Sequence, residues 1–349
     1  MNKRIKRVLF IIILLLSLLC IGYIVKKLVT TYNICYKNNV PESAFLYVPT
    51  GATLATVIDS LQAGGLLLDG ETFLAASREP QHQTLKVCPG RYHLEQGMNN
   101  TEILRMLKFG WQEPVKLVVA GAIRTKGKLA AALSRYVEPD SATLARLLSD
   151  ESLLQSFGYT SATVPGMIVP NTYEVYWNIS AEELLQRLHA ENVKFWNGVR
   201  MRRLAVIGLT RDEAITLASV VNEETNKTDE MPRVAGVYMN RLKKRIALQA
   251  DPTLKYAWND FALRRVLNRH KSIDSPYNTY KYPGLPPGPI CVPSIAAIDA
   301  VLYYEQHDYL YFCADAGFTG YHVFAQTLAQ HNKNAAKYRQ ALNLRKIYR

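Results

Sequence analysis

Two adjacent glutamates, Glu223 and Glu224, lie near the end of the segment LASVVNEET (217–225) and are the residues of this chain best placed for acid–base chemistry. The segment is predicted to be helical, because Thr210 precedes Glu213 by three residues in the Ser/Thr-x-x-Glu pattern of a capping box. A carboxylic acid on such a helix can serve as a general acid if its surroundings keep it protonated near the working pH.

Glu224 is predicted to continue an apolar stripe. Leu217, Val221 and Glu224 lie at i, i+4 and i+7, so they share one face of the helix. Desolvation on that face would raise the pKa of Glu224 towards the range in which a general acid works.

Glu223 is predicted to differ from its neighbour. It shares a more polar face with Thr216 and Ser219 and is therefore expected to be an ordinary solvated carboxylate. The alternative for both glutamates is that they are surface charges that end a helix.

The N-terminus predicts a membrane anchor. MNKRIKR is followed by an uncharged apolar run from Val8 to Val25, which is long enough to span a bilayer. A cleaved signal peptide is the alternative, but no small-residue cleavage site follows Val25, and Leu19 fills the place before Cys20 where a lipoprotein signal needs a small residue. Four basic residues precede the run and two follow it, so the N-terminus is expected in the cytoplasm and the body outside.

Charge and cysteine content narrow the classes of partner. The formal net charge is +13, and six of the positive charges belong to residues 1–27. A moderately basic exported body suits an anionic wall polymer or lipid surface, whereas no lysine/arginine run with interleaved aromatics indicates nucleic acid. The five cysteines form no framework or metal-binding pattern, so no metal is expected. Cys291 and Cys313 are either a disulfide pair or free thiols.

Short strands alternating with short helices indicate an α+β fold. A compact unit begins near Phe45, and the run PVKLVVAG (114–121) is predicted to be a buried strand. Residues 125–160 are expected to be helical with a break at Pro139, and the proline-rich stretch 272–293 is expected to be a fixed loop.

Several motifs occur in the order found in one known family. They are ASVVNEET, VAGVYMNRL (234–242), LQADPT (248–253), SPYNTY (275–280), GLPPGPI (284–290), HVF (322–324) and HNK (331–333), with PNTY (170–173) matching a further element. Together they resemble the YceG-like endolytic lytic transglycosylases, the MltG family, over roughly residues 44–345.

The resemblance implies a reaction and a catalytic residue. The family cleaves peptidoglycan glycan strands between N-acetylmuramic acid and N-acetylglucosamine without water and leaves a 1,6-anhydro-muramyl end. Its catalytic glutamate, just before the threonine of the helix motif, corresponds to Glu224. The sequence departs from the family pattern at Asn222, usually glutamate, and at Asn171, usually aspartate.

The resemblance also implies a domain plan with a small LysM-like module and a larger α+β catalytic domain. The predicted division is a basic cytoplasmic tail (1–7), a transmembrane helix (8–25), a tether (26–43), the LysM-like module (44–112) and the catalytic domain (113–349).

One carboxylate suffices for this chemistry. The muramyl 6-hydroxyl acts as an internal nucleophile, and one glutamate can protonate the leaving oxygen and then accept the hydroxyl proton. Asp251 could supply a second carboxylate, so a two-carboxylate muramidase is the alternative reaction. The structural alternative for Asp251 is an Asp-Pro-Thr turn or a structural hydrogen bond.

Polar residues within the motifs are candidates for binding sugar hydroxyl and N-acetyl groups. These are Asn240, Arg241, Gln249, Asp251, Asn278, Tyr280, His322 and Asn332. Without the motif context Arg241 would be read as a solvated charge and His322 as a packed histidine.

The sequence therefore predicts a membrane-anchored enzyme, without cofactor, on the outer side of the cytoplasmic (inner) membrane. Its expected partner is peptidoglycan, and wall-synthesis or division proteins are further candidates. The alternatives of another class are a catalytically silent wall-binding protein and a scaffold.

Overall fold

The structure, a computed structural model, describes residues 3–82, 85–263 and 266–345 of the 349-residue chain. It has a mixed α+β fold, as predicted, and divides into two compact units. The first comprises Met1–Val115 with Glu174–Asn178, and the second comprises Lys116–Tyr173 with Ile179–Arg349. Residues 1–2 of the predicted tail and 346–349 of the predicted catalytic domain lie outside the described residues.

The first helix, α1 (Lys3–Cys35), contains the predicted membrane segment 8–25. Over Arg4–Cys35 it is long and apolar enough to cross a membrane, and it is the one such helix among the described residues. Leucine, isoleucine and valine side chains point outward around its whole circumference, the pattern of a helix that needs an apolar surrounding.

The first unit continues as a strand, two helices, a second strand and a third helix. These are β1 (Ala44–Val48), α2 (Leu54–Ala63), α3 (Gly70–Ser77), β2 (Gly90–Leu94) and α4 (Asn100–Phe109). The two strands pair antiparallel from Ala44 opposite Leu94 to Val48 opposite Gly90. A hydrophobic cluster that includes Leu61, Phe73 and Tyr92 fills the space between them and the helices.

The stretch predicted as a tether, 26–43, is helical as far as Cys35 and takes part in the core. Cys35 and Val40 are buried. Asn100 Nδ2 donates to the Ile34 carbonyl at 2.7 Å, and Thr101 Oγ1 donates to the Cys35 carbonyl at 3.0 Å. The end of α1 is therefore part of the first unit, because buried polar groups of α4 require its last carbonyls as partners.

The remaining elements belong mainly to the second unit. In chain order they are β3 (Val115–Val118), α5 (Lys126–Leu133), α6 (Ser141–Leu147), α7 (Glu151–Ser156), a 3-10 helix (Val164–Met167), β4 (Thr172–Val175), α8 (Ala181–Phe195), α9 (Gly198–Ile207), α10 (Arg211–Glu224), α11 (Met231–Lys243), α12 (Asp251–Ala257), a 3-10 helix (Asn268–Ser272), α13 (Ile295–Leu302), β5 (Tyr311–Ala314), β6 (His322–Ala325) and α14 (Leu328–Leu344). β3 pairs with β4 and β5 with β6.

α10 is the centre of the second unit. α9, α11, α12, α13 and the first 3-10 helix all pack against it. Every residue from Ala214 to Val221 is buried. The middle of the helix is thus enclosed by protein, and Glu224 lies in the last turn that follows.

Several sequence predictions about elements are confirmed and one is corrected. The helices in 125–160 are separate elements on either side of Pro139, and residues 273–293 contain neither helix nor strand. The segment predicted as a buried strand, 114–121, forms the shorter strand β3 and alternates instead: Val115 and Leu117 are buried, whereas Lys116 and Val118 are exposed. A strand in a two-stranded sheet with one covered face needs apolar residues only at every second position.

Removal of residues 1–36 is expected to destabilise the first unit, whereas removal of residues 1–27 is not. The longer deletion takes away the Ile34 and Cys35 carbonyls and leaves the buried side chains of Asn100 and Thr101 without those partners, at a cost of about 2–4 kcal/mol. Hydrogen exchange of the amides in β1, β2 and α4 measures the loss. Equal protection in the two truncated proteins would contradict the structural role of the end of α1.

Candidate active site

The helix that carries the two glutamates begins as the sequence predicts. Thr210 Oγ1 accepts from the Glu213 amide at 3.2 Å, and Glu213 Oε2 accepts from the Thr210 amide at 2.8 Å. The reciprocal pair satisfies two backbone donors at the start of α10 and fixes the phase of the helix. Leu217 and Val221 are fully buried on the stripe that ends at Glu224.

The face of α10 predicted to be polar is also buried. Thr216 and Ser219 are almost without solvent exposure. Ser219 Oγ donates to the Thr216 carbonyl at 2.7 Å and accepts from the Ile290 amide at 3.0 Å. The hydroxyl groups therefore serve as internal hydrogen-bond partners, and this polar face is buried because other elements surround the helix.

Glu223 is accordingly not an ordinary solvated carboxylate. Arg124 Nε donates to both of its oxygens, at 3.0 and 2.9 Å, and the Glu223 side chain is only 13% exposed. Arg124 also lies 5.4 Å from the centroid of the Phe261 ring. A carboxyl group paired with an arginine in this way is held in one position, which suits a structural role.

Glu224 is the carboxyl group with the strongest perturbation. Burial raises its pKa from an ordinary 4.5 to about 7. A hydrogen bond from the Tyr238 hydroxyl to Glu224 Oε1, 2.5 Å long, acts in the opposite direction. The charge of Asp251 adds to the rise, Lys255 opposes it and Glu223 adds to it. Glu224 is therefore protonated in a large fraction of molecules near neutral pH.

Glu224 opens into a cavity of about 320 Å³. The walls come from α10, α11, α12, the 272–293 loop, the β5–β6 sheet and α14. Its lining residues are Glu224, Tyr238, Arg241, Leu248, Gln249, Asp251, Tyr280, Leu310, Tyr311, Phe312, Cys313, Ala314, His322, Leu328 and His331. A concave site with aromatic walls and a few converging polar groups around a perturbed acid is the usual form of a small-ligand or catalytic site.

The structure brings five of the eight predicted binding residues to this cavity. These are Arg241, Gln249, Asp251, Tyr280 and His322. They come from α11, the segment before α12, α12 itself, the loop and β6, so no single stretch of sequence forms the site.

Asp251 and Tyr280 form one wall together. Asp251 is exposed at the start of α12 and accepts a hydrogen bond of 2.5 Å from the Tyr280 hydroxyl. Burial, and then the neighbouring Asp251 charge, raise the pKa of Tyr280 well above its usual range. Asp251 is thus the first residue of a helix and not part of an isolated turn, and its carboxylate faces the same space as Glu224.

Gln249 enters the cavity from a left-handed backbone conformation, with φ of 51°. Such a conformation is unfavourable for a residue with a Cβ and occurs where neighbouring structure enforces it. Here the Gln249 amide donates to the Thr279 carbonyl at 3.0 Å, and the Ala250 amide donates to Thr279 Oγ1 at 3.0 Å. These bonds fasten the segment before α12 to the loop.

Arg241 and His322 are held by other protein groups while they line the cavity. Arg241 Nε donates to the Leu310 carbonyl at 2.7 Å, and its Nη1 donates to the carbonyls of Ala247 and Leu248. Burial lowers the pKa of Arg241. His322 Nδ1 lies 2.8 Å from Oε2 of the buried Glu230, which leaves Nε2 as the ring nitrogen without a hydrogen bond among the described residues.

Three predicted binding residues lie outside the lining of the cavity. Asn278 is fully buried, and its amide bonds to the carbonyls of Lys271 and Ile273, so it shapes the loop. Asn240 Nδ2 donates to the carbonyl of His307 at 2.6 Å. Asn332 is exposed on α14.

The two departures from the family pattern have local roles. Asn222 Oδ1 accepts from the amide of Ser294 at 3.1 Å and so ties α10 to the start of α13. Asn171 is exposed, and its carbonyl accepts from the Val119 amide at 2.9 Å. Neither residue lines the cavity.

Cys291 and Cys313 were predicted to be either a disulfide pair or free thiols, and in the structure they are free thiols. Cys291 is buried beside α10, and its Sγ donates to the Ser219 carbonyl at 3.5 Å. Cys313 lies on the wall of the cavity.

Sequence reasoning missed Tyr238 and several residues of β5 and α14. Tyr238 lies three residues before Arg241, so the two share a face of α11, and this helical spacing is the signal that could have identified it. Tyr311 and Phe312 give no comparable signal, because their position depends on how the β5–β6 sheet packs. His331 is the first residue of the HNK motif (331–333), which was the signal for it, although only Asn332 was chosen from that motif.

Comparisons with known proteins match most of the chain. The profile of the YceG-like family matches residues 46–337. The chain is 27% identical over 317 residues to the endolytic murein transglycosylase of Bacillus subtilis (strain 168), covering 85% of both proteins. It is 27% identical over 324 residues to the endolytic murein transglycosylase of Streptococcus pneumoniae serotype 2 (strain D39), covering 83% of this chain and 57% of the streptococcal protein.

A crystal structure of a yceG-like protein from Listeria monocytogenes has a related fold. It is similar to this chain with a TM-score of 0.54 and 26% sequence identity. The match covers 84% of this chain and 99% of the Listeria chain.

The raised pKa of Glu224 predicts a pH-dependent gain in stability for Glu224→Gln. Between pH 4.5 and about 7 the unfolded chain releases a proton that the folded protein keeps, so the wild type loses stability as the pH rises through this window. Glutamine has no such loss. Relative to the wild type, the free energy of unfolding of the variant should rise by up to about 3 kcal/mol from about pH 4 to pH 8.

Urea unfolding of the two full-length proteins at several pH values measures this difference. Glu223→Gln is the control, since it breaks the Arg124 ion pair and should be less stable than the wild type at neutral pH. A constant difference between Glu224→Gln and the wild type across the range would contradict the raised pKa.

Proposed function

The chain belongs to the YceG-like family, and from this premise we propose that it is an endolytic peptidoglycan lytic transglycosylase. It cleaves the bond between N-acetylmuramic acid and N-acetylglucosamine without water and leaves 1,6-anhydro-N-acetylmuramic acid ends. The two curated relatives named above are both called endolytic murein transglycosylase. This activity would terminate glycan strands during wall assembly.

The observation that carries the proposal is the state of Glu224. A carboxyl group with a pKa of about 7 in a polar and aromatic cavity can give a proton to a leaving oxygen and take one back at the same pH. Tyrosine rings on the cavity wall suit the apolar faces of sugars, and the polar groups between them suit hydroxyl and N-acetyl groups.

The proposed reaction uses one carboxyl group twice. Glu224 protonates the glycosidic oxygen as the bond from the muramyl C1 breaks, and the N-acetylglucosamine leaves with a free hydroxyl. The muramyl 6-hydroxyl then attacks C1 and loses its proton to the Glu224 carboxylate, which restores the acid. The nucleophile belongs to the substrate, so the protein has only to hold the sugar in the ring conformation that brings the two atoms together.

The other residues of the cavity are proposed to bind the strand. Gln249 and Tyr280 offer an amide and a hydroxyl group, and His322 offers Nε2. Asp251 is proposed to stabilise the positive charge that develops on the sugar ring when the bond breaks. Arg241 is proposed to keep the walls together through the three carbonyls that it binds.

A two-carboxylate muramidase is the second candidate, and the position of Asp251 favours it. Asp251 and Glu224 both line the cavity. Most glycoside hydrolases have two carboxyl groups on either side of the glycosidic bond. One acts as the general acid, and the other activates water or acts as a nucleophile.

We propose that α1 anchors the enzyme in the cytoplasmic membrane with the N-terminus in the cytoplasm. The basic residues before Val8 support this orientation. The remainder of the chain, with the LysM-like module predicted at 44–112 and the catalytic domain at 113–349, would then face the wall. Peptidoglycan is the proposed substrate, and wall-synthesis or division proteins in the same membrane are proposed partners.

Digestion of purified sacculi by the full-length protein should give fragments that end in anhydro-muramic acid. Such ends are lighter by one water than hydrolysed ends, so mass analysis separates the two reactions. Reducing muramic acid ends as the sole product would overturn the transglycosylase proposal in favour of the muramidase.

Variants of the adjacent glutamates are the internal control for this digestion. Glu224→Gln should lower the rate by at least about 10²–10⁴-fold, the usual contribution of general acid–base catalysis. Glu223→Gln should keep most of the activity, because Glu223 is bound to Arg124 and does not line the cavity. The wild-type rate should fall as the pH rises through about 7, where Glu224 loses its proton.

The proposed orientation predicts the side on which the C-terminus lies. A reporter enzyme that works only outside the cytoplasm should be active when fused after Arg349, because the single helix α1 would carry the body across. A reporter that works only in the cytoplasm, fused at the same place, is the matched control. Activity of the cytoplasmic reporter alone would refute the orientation.

A further inference from the structure

The hydroxyl group of Tyr238 is the closest polar partner of Glu224. Its oxygen lies 2.5 Å from Glu224 Oε1, and Tyr238 is only 2% exposed. The ring also makes an edge-to-face contact with Phe312, at a centroid distance of 5.8 Å and an angle of 86°. A short hydrogen bond from a buried and packed ring restricts the orientation of the Glu224 carboxyl group.

The direction of this hydrogen bond is determined by the chemistry of the tyrosine. Burial, and next the charge of Glu224, raise the pKa of Tyr238 well above its ordinary value, so the hydroxyl group keeps its proton. Its only proton points at Oε1, which must accept. In the neutral acid the carbonyl oxygen is the better acceptor, so this hydrogen bond favours the carboxyl proton on Oε2.

We propose that Tyr238 is a positioning residue that places the acid proton of Glu224 on Oε2 and stabilises the carboxylate left when that proton is transferred. The inference rests on the proposed role of Glu224 as the general acid. Tyr238, on α11, would thereby determine which oxygen of Glu224 faces the glycosidic bond. The same hydroxyl group then faces a charged acceptor, and hydrogen bonds to charged groups are about twice as strong as those between neutral groups.

The hydrogen bond from Tyr238 therefore opposes the effect of desolvation on the pKa of Glu224. Burial alone would make the group too weak an acid, whereas the bond from Tyr238 lowers its pKa. Loss of the hydroxyl group should make the neutral acid harder to ionise and leave its proton free to sit on either oxygen. Both effects concern the proton and not the binding of sugar.

Other charged and titratable groups near Glu224 set the background for this effect. They are Glu223 on α10, Arg241 on α11, Asp251 and Lys255 on α12, Tyr280 on the loop, Tyr311 and Cys313 on β5, His322 on β6 and His331 on α14. All of them are unchanged by Tyr238→Phe. A shift of the Glu224 titration in that variant can then be assigned to the single hydroxyl group that was removed.

Infrared spectroscopy tests the inference without any reference to activity. The stretching band of the protonated Glu224 carboxyl group is identified as the band that Glu224→Gln lacks, and it is followed from about pH 5 to pH 10 in the full-length protein in detergent. Tyr238→Phe should move the midpoint upward from about 7 by roughly one to two pH units. An unchanged or lowered midpoint would overturn the proposal.

Digestion of sacculi by the same variant gives the second readout. The turnover rate of Tyr238→Phe should fall by about tenfold to a hundredfold, with KM within about twofold of the wild type. The alkaline limb of its pH–rate profile should move upward together with the infrared midpoint. A fall in rate with no movement of the limb indicates a merely structural role and contradicts the proposal.

Tyr159→Phe is the matched control. Tyr159 is also buried in the second unit, and its hydroxyl group donates to Asn192 Oδ1 at 2.8 Å, but it does not line the cavity. This variant should lose a comparable amount of stability and show the wild-type Glu224 midpoint. A shift equal to that of Tyr238→Phe would assign the effect to general loosening and overturn the proposal.

A fluorinated side chain keeps the test decisive if Tyr238→Phe does not fold. Incorporation of 3-fluorotyrosine at position 238 makes the hydroxyl group a stronger donor with almost no change of shape. The Glu224 midpoint should then move downward. An upward shift or no shift would contradict the proposal, and failure of the sacculus digestion alone would count against the proposed function but not against the role of Tyr238.

Discussion

Desolvation of one carboxyl group is the constraint on which the site depends. Glu224 is the last residue of a helix that is buried from Ala214 to Val221, so the packing that stabilises α10 also removes water near its end. An ionised carboxylate at such a place has a high free energy unless partners compensate for it, and the group responds by keeping its proton. The stability of the second unit and the acidity of Glu224 are consequences of the same packing.

The elements around α10 provide a limited compensation. α11 contributes the hydroxyl group of Tyr238 and α12 contributes the positive charge of Lys255, while Asp251 acts in the other direction. Glu223, by contrast, is paired with the guanidinium group of Arg124 and does not line the cavity, which suits a structural role. Two neighbouring glutamates thus have different chemistry because one has a cation in contact and the other has a neutral donor.

The predicted polar residues that do not line the cavity hold the segments that form its walls. Asn278 holds the loop that carries Tyr280, and Asn240 holds the segment before β5. Gly236 allows the Glu305 carbonyl to approach α11, since a Cβ at this position would lie 2.4 Å from that oxygen. A cavity wall built from irregular segments needs such fixed points, because loops have no ladder of backbone hydrogen bonds of their own.

The sequence by itself determined the α+β class, the apolar N-terminal helix, the start and phase of α10, and the family. These depend on local spacing: a capping box spans three residues, and the face on which Glu224 lies depends only on the helical repeat. The order of the motifs likewise indicated the residues that meet at the cavity, although it did not separate the binding candidates Arg241 and Tyr280 from Asn278, which supports the loop.

Tertiary structure alone decided the environment of those residues. Glu223 is 99 positions from its partner Arg124, and no periodic pattern predicts which arginine will be in contact with it. The face with Thr216 and Ser219 was predicted to be polar, yet it is buried, because α11, α12 and α13 close around the helix. The burial of a side chain and its ion pairs depend on groups that are distant in sequence, whereas secondary structure and the phase of a helix depend on neighbouring residues. This is the physical reason why the sequence determined the helix and its phase, and only the tertiary structure decided the environment of the glutamates.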